Sequence, residues 1–303
     1  MRLLTAIDLS SLPSPEVVEP LEYEIIKTAM IADLRDRYTA EGLDFTALLE
    51  SDPAIKVIEV AAFREMILRQ RVNDAARSVM LAFATEGDLD QLAAPFGVQR
   101  LLLDPGDPDA KPPVPPTWET DERLRRRVTM AFDGYPTAGS VESYEFHAFS
   151  ATAKARDVGV SSPAPGEVVV TVLSIDGDGT PDQDTLDAVA AAVTADKVRP
   201  LTDHITVAAP TIVHYTIEAT LSLYSGPDQD VVRQAALAAA TEYASQHHRL
   251  GSDVTLSGLY GAMHRPGVHK VTLASPAADI DVPPAGAAWC SGITITVANE
   301  RNE

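Results

Sequence analysis

Between Asp52 and Gly87 the sequence contains one proline, Pro53, at the very start, and no glycine before Gly87. Asp52 is a favourable N-cap, and Pro53 suits the first helical turn, where a missing N–H costs nothing. Gly87 is a natural C-terminal cap. About thirty-three helical residues at 1.5 Å each predict a rod of about 50 Å, several times the ordinary helix length. Ile58, Ala62, Glu65, Leu68, Val72, Ala75, Val79 and Phe83 recur along it at steps of three and four. That spacing predicts one seam facing a partner, as in a helical bundle. A rod this long must lie against something equally long, either helices of its own chain or helices of another subunit. Assembly is therefore indicated before chemistry.

The 303 residues suffice for two or three domains, and a hydrophobic content of 45% fills their cores. Acidic residues outnumber basic ones by 44 to 24, a formal charge of -20. Such a surface repels phosphate backbones, so nucleic acid is not an expected partner. Cys290 is the sole cysteine, which excludes an internal disulfide and a cysteine-based zinc cluster. The first residues turn polar before a signal-peptide core can form, and no eighteen apolar residues run together, so no membrane span is expected. The expectation is a protein that folds in the cytoplasm.

The pattern predicts an α+β chain, with an N-terminal long-helix region followed by two small α+β domains. Residues 1–20 read as an extended arm and residues 21–100 as helical. In the helical part a helix runs from about Leu21 to Tyr38, and a short one lies near Phe45–Leu49. The rod follows, and then a helix begins at the Asp88/Gln91 capping box and stops at Pro95 or Gly97. Pro105, Pro108, Pro112, Pro113, Pro115 and Pro116 favour polyproline II over any regular ladder, so residues 101–119 read as a stiff strap or boundary. Residues 120–209 form the middle domain. Its helices span about Asp121–Phe132 and from Ser140 to near Ala153. Strands follow at Ala155–Val160 and Val168–Leu173, then a helix through Leu186, Val189 and Val193, and a strand at His204–Val207. Residues 210–303 form the C-terminal domain. It opens on a strand in which Val213, Tyr215, Ile217, Ala219, Leu221 and Leu223 alternate with polar residues. Helices at about Asp228–Gln246 and Leu256–Met263 follow, then strands at Val268–Leu273 and Ile293–Val297. The simplest packing sets the helices on one face of a small antiparallel sheet.

Chemistry is harder to find. The run Asp176-Gly177-Asp178-Gly179-Thr180-Pro181-Asp182-Gln183-Asp184 is the best metal candidate. A calcium loop needs glycine at its sixth position and a bidentate glutamate at its twelfth, and here those are Pro181 and Asp187. A polar turn that leads into a helix N-terminus fits better. His247 and His248 are adjacent at a helix end, His264 and His269 flank the turn Arg265-Pro266-Gly267, and His204 merely follows Asp203. None has catalytic or zincin spacing, and neither a nucleophile elbow nor a phosphate loop occurs. Arg123, Arg125, Arg126 and Arg127 spread round more than half of a helix, so they make no flat phosphate-binding face. Asp121 with Arg125 and Glu122 with Arg126 are instead spaced to pair along it. Trp118 and Trp289 read as isolated packing anchors. No cofactor, metal or catalytic residue is expected.

Several segments taken together resemble a known family. They are Leu12-Pro13-Ser14-Pro15 with Glu19, Asp52-Pro53-Ala54 with Glu59, and Arg69-Gln70-Arg71-Val72-Asn73-Asp74-Ala75-Ala76. Asp88-Leu89-Asp90-Gln91-Leu92-Ala93, Phe96-Gly97-Val98 with Arg100, and Ala138-Gly139-Ser140 continue the series. Pro163 to Val170, Val198-Arg199-Pro200-Leu201-Thr202-Asp203 and Gly267-Val268 complete it. In collinear order over nearly the whole chain, they resemble the baseplate J-like family of contractile phage tails and phage-tail-like bacteriocins. The resemblance implies a structural, non-enzymatic wedge component of a baseplate, assembled in the bacterial cytoplasm and resident in the virion tail. It implies as partners a second copy of the chain, a gpI-like wedge protein, a gpW-like protein, neighbouring wedges in a ring of six, and the central spike hub. The rod is then the bundle element, with Ile58, Ala62, Leu68, Val72, Ala75, Val79 and Phe83 as the candidate interface. A tail-associated hydrolase and a host-surface binding module are the alternatives. The low aromatic content of 6% argues against the second.

Overall fold

The structure is a computed structural model, and it describes residues 9, 12–13, 21–45, 49–135, 139–226 and 228–298. The expected arm at 1–20 and short helix at Phe45–Leu49 fall largely outside these residues. The described chain is α+β, as expected, and divides into two units.

The first unit comprises residues 1–99 and 120–129. Helix α1 (Tyr23–Ala40) packs on α2 (Pro53–Ser78), burying Ile26, Ile55, Ile58 and Ala62, and Lys27 pairs with Glu59 at 3.4 Å. The Asp52 carboxylate caps α2 by accepting from the Ala54 N–H at 3.1 Å. The helix stops at Ser78, however, well short of Gly87, so the rod is roughly 40 Å long. No glycine or proline marks that end in the sequence. Two things produce it. Ser78 turns its hydroxyl onto the Ala75 carbonyl, an alternative that weakens helix propagation. The Arg125 guanidinium, supplied by α4 (Asp121–Met130), then takes the carbonyls of Leu81 and Ala84 at 2.7 Å each, in place of helical N–H donors.

Helix α3 (Glu86–Ala93) starts two residues before the expected capping box. Its first N–H, at Glu86, donates to the Asp121 carboxylate at 3.0 Å, and Gly87 lies inside the first turn and ends nothing. A short 3₁₀ turn at Ala94–Phe96 leads to Gly97, where the segment stops as expected. Buried Arg127 donates to the Gln99 carbonyl. Charged hydrogen bonds contribute about 1.5–3 kcal/mol each, so Arg125→Ala is expected to loosen the α2–α3 connection. In amide exchange, residues 79–86 should open at least tenfold faster while α1 and the first half of α2 stay protected. Unchanged exchange there would refute the role given to Arg125.

The second unit comprises residues 100–119 and 130–303. The proline-rich segment is not a polyproline strap. Leu102–Asp104 (β1) and Thr117–Trp118 (β2) pair antiparallel, and Asp107 and Val114 exchange two backbone hydrogen bonds at 2.9 Å. The hairpin tolerates its prolines because, among the described residues, its two strands pair only with each other, and such edge strands need donors on one side alone. Gly106 is required at its turn, since it sits at φ +70 and a Cβ there would collide with the Val114 carbonyl.

In the middle domain, α5 (Val141–Ala151) is capped by the Ser140 hydroxyl and α6 (Gln183–Val193) by the Asp182 carboxylate. β3 (Ala155–Ser161) pairs antiparallel with β4 (Glu167–Ser174), and β5 (His204–Ala208) lies parallel to β4 on its other side. The parallel pair makes α6 a crossover helix. Tyr144, Ala148, Phe149, Val158, Val170, Val172, Val189 and Val193 form the core between helices and sheet.

The C-terminal domain is organised by β6 (Thr211–Leu223), whose alternation buries Tyr215, Ile217, Ala219, Leu221 and Leu223 as expected. Against it pack α7 (Gln229–His247), α8 (Leu256–Met263), β7 (Val268–Ser275) and β8 (Gly286–Val297), in strand order β7-β6-β8. The sheet is not antiparallel throughout: β8 runs parallel to β6. Residues 276–285, pinned by the Ile280–Val254 bridge, carry the chain to the far edge of the sheet. β8 also starts seven residues before the expected Ile293. Its first half, Gly286 to Cys290, has no apolar-polar alternation to reveal it, because Gly286, Ala287 and Ala288 are all buried.

Candidate functional site

The α2 surface is apolar on two sides. One side, carrying Ile58 and Ala62 at 9% and 0% exposure, is filled within the chain. At 3.6 residues per turn, Val57, Ala61, Leu68, Val72 and Ala75 fall within an arc of roughly 60°, about a quarter of the way round the helix from that side, and all five are exposed. Leu68 and Val72 expose 60% and 57% of their surface. Val60, Phe63 and Ile67 lie farther round on one flank, beyond exposed Arg64 and Arg71, and are exposed too. Of the expected interface residues, Leu68, Val72 and Ala75 are therefore together and open, whereas Ile58 and Ala62 are covered. Val79 is exposed but lies just past the end of α2, and half-buried Phe83 lies in the turn beyond it. Following a single stripe missed Val57, Val60, Phe63 and Ile67. Apolar residues outside that stripe, set among the charged ones of the same helix, were the signal that would have found them.

Residues of possible chemical use are engaged elsewhere. Lys154 Nζ lies 2.7 Å from Asp182 and 3.8 Å from Asp176, so a lysine supplies the positive charge of the acidic loop. That ammonium and the Thr185 N–H hold the Asp182 carboxyl well below the usual range. Among the described residues no group of three or more His, Cys, Asp or Glu is placed to hold a metal ion. His214 pairs with Asp178 at 3.5 Å, His247 meets the Ser252 hydroxyl at 3.1 Å, and His269 packs edge-on against Tyr224. The arginines of α4 serve the chain's own carbonyls, through Arg125 and Arg127, in place of a phosphate. Trp118 is half exposed, while Trp289 sits edge-on to His248 with ring centroids 4.9 Å apart.

His248 belongs to a junction between the middle and C-terminal domains. Arg156 of β3 donates through Nε to the His248 carbonyl at 3.0 Å and through Nη2 to the Ser245 carbonyl at 2.7 Å. Buried Asp157 accepts from the Leu250 N–H at 3.2 Å. Leu173, Leu250, Ala287 and half-buried Ile212 close an apolar patch beside them. Gly179, at φ +96, admits the His248 ring, because a Cβ would lie 2.9 Å from Nε2. The ring's Nδ1 donates to the Ala288 carbonyl at 2.7 Å.

Burial holds His248 below the ordinary imidazole value, and burial acts on His147 in the same direction. Both therefore bind a proton less readily in the fold than in the unfolded chain, whose histidines titrate at about pH 6.5. Below that pH the unfolded state binds more protons, so stability falls as pH drops through and below about 6.5. The thermal midpoint is expected to be lower at pH 5.5 than at pH 7.5, and less so in His248→Gln. An equal drop in that variant would exclude His248 as a contributor.

Comparison with known proteins gives three collinear family matches. The Baseplate J-like N-terminal domain matches residues 50–107, the Baseplate J-like central domain residues 136–209, and the Baseplate J-like protein C-terminal domain residues 215–296. Baseplate protein J of Escherichia phage P2 is 42% identical over 288 residues, covering 94% of this chain and 95% of the relative. A chain from the six-fold symmetrised cryo-EM structure of the anti-feeding prophage baseplate is similar at TM-score 0.42 and 15% identity. That match covers 59% of this chain and 44% of that one.

Proposed function

The chain belongs to the baseplate J-like family, and from that premise we propose that it is a structural wedge component in the baseplate of a contractile tail or related injection particle. Two copies join one gpI-like protein through a helical bundle, and the wedges close a ring of six around the spike hub beside a gpW-like protein. The observation that carries this reading is the open apolar arc of α2. A helix that α1 covers along Ile58 and Ala62, and that keeps a second apolar arc open, is completed by helices of neighbouring chains. Its role is architectural, and a cell-wall hydrolase assay on the purified chain is expected to show no activity.

On triggering, the domains keep their folds and change orientation, as suits a two-state device built of stiff modules. The Arg156–Asp157–His248 junction favours movement of the middle and C-terminal domains as one body. The boundary then falls between residues 99 and 130. Gold labelling of a tagged chain in purified particles tests the assignment: label is expected at the baseplate end of the tail. Particles that infect or kill normally without the chain would contradict it.

A further inference from the structure

The hairpin at residues 100–119 is closed at its base by its own side chains. Buried Glu119 accepts from the Leu101 N–H at 3.0 Å through its carboxylate, and its carbonyl accepts from Arg100 Nη1 at 2.9 Å. Beyond that base nearly every residue is exposed. Leu102 and Trp118 are direct cross-strand partners, so their side chains share one face. They remain 45% and 51% exposed, and Val114 further out is 50% exposed. The described residues thus leave three large apolar side chains of one two-stranded arm about half exposed.

The polar residues of the arm indicate what covers it. Asp104, Asp107 and Asp109 are exposed, and Lys111 is the sole basic residue beyond Arg100. Among the described residues none of the three aspartates forms an ion pair. Asp104 and Asp107 spend one oxygen each on the N–H two residues on, which fixes the turns without neutralising the charge. Prolines fix the backbone between them, so little conformational freedom remains to be lost on binding. A tryptophan set among near-neutral contacts is the usual form of an interface anchor. A second copy of this chain, itself at -20, is a poor match for an acidic tip.

We propose that this hairpin is a preorganised acidic docking arm, which seats Leu102, Val114 and Trp118 in an apolar cleft rimmed by lysine and arginine on a different polypeptide of the same particle. The inference rests on the baseplate reading and adds an interface that α2 does not provide. It is tested by placing the photo-cross-linker benzoylphenylalanine at Val114 and irradiating assembled particles. The expected product joins this chain to a different protein, through a segment containing Lys or Arg. Trp118→Ser should fold with an unchanged melting midpoint yet enter particles at least tenfold less. Asp104→Asn with Asp107→Asn and Asp109→Asn keeps the turn hydrogen bonds, and should lower incorporation about threefold. Cross-links to a second copy, cross-links only within the chain, or normal incorporation of Trp118→Ser would overturn the proposal. So would the absence of cross-links in particles that contain the chain. If the wild-type chain is missing from particles altogether, the baseplate reading fails and this inference falls with it.

Discussion

Leu68→Asp combined with Val72→Asp is expected to leave the chain folded and to abolish its entry into particles. Both side chains are more than half exposed, and substitutions at such sites usually change stability by less than about 0.5 kcal/mol. In a bundle the same carboxylates would be stripped of water with no partner, at a cost of several kcal/mol. Each 1.4 kcal/mol is about tenfold in affinity, so wedge formation should fall by two to three orders of magnitude. Circular dichroism and the thermal midpoint of the purified variant check the first half, and co-purification with particles checks the second. Ala62→Asp supplies the contrast. Ala62 is fully buried within the chain, so that variant should lose the α1–α2 pairing before any partner is met. If the double variant entered particles normally, the open arc would not be an assembly face.

Arg156→Ala with Asp157→Ala is expected to separate the middle and C-terminal domains into independently melting bodies. The pair removes the guanidinium contacts to Ser245 and His248 and leaves the buried Leu250 N–H without its acceptor. A lost charged hydrogen bond costs about 1.5–3 kcal/mol, and an unsatisfied buried donor about 1–3 kcal/mol. For a body of this size about 1 kcal/mol moves the midpoint by roughly 2–4 °C, so a drop of at least about 5 °C is expected. Calorimetry should resolve two transitions in place of one, and Arg156→Lys, which cannot form the two-pronged contact, should fall between. A single transition at the original temperature would mean that the apolar patch of Leu173, Leu250 and Ala287 alone joins the domains.

What could be read from the residues was whatever local chemistry specifies. Asp52, Ser140, Asp182 and Asp228 cap helices where their side chains predict, and the alternation of β6 states both its strand character and its buried face. Features fixed by distant partners could not be read. The end of α2 depends on Arg125, more than forty residues away, and the junction joins residues about ninety apart. Proline density hid the hairpin, because a strand that needs donors on only one side tolerates prolines that a central strand excludes. The parallel placement of β8 left no local trace, since its small buried residues carry no alternation. On α2 the apolar positions were visible, but the sequence could not say which of them α1 would cover.

The central claim is that α2 is completed by other chains, and a reconstruction of the assembled particle tests it most directly. Helices of neighbouring molecules are expected against Val57, Leu68, Val72 and Ala75, leaving those side chains without solvent. A map with this arc facing water, or covered only by the chain's own residues, would contradict it.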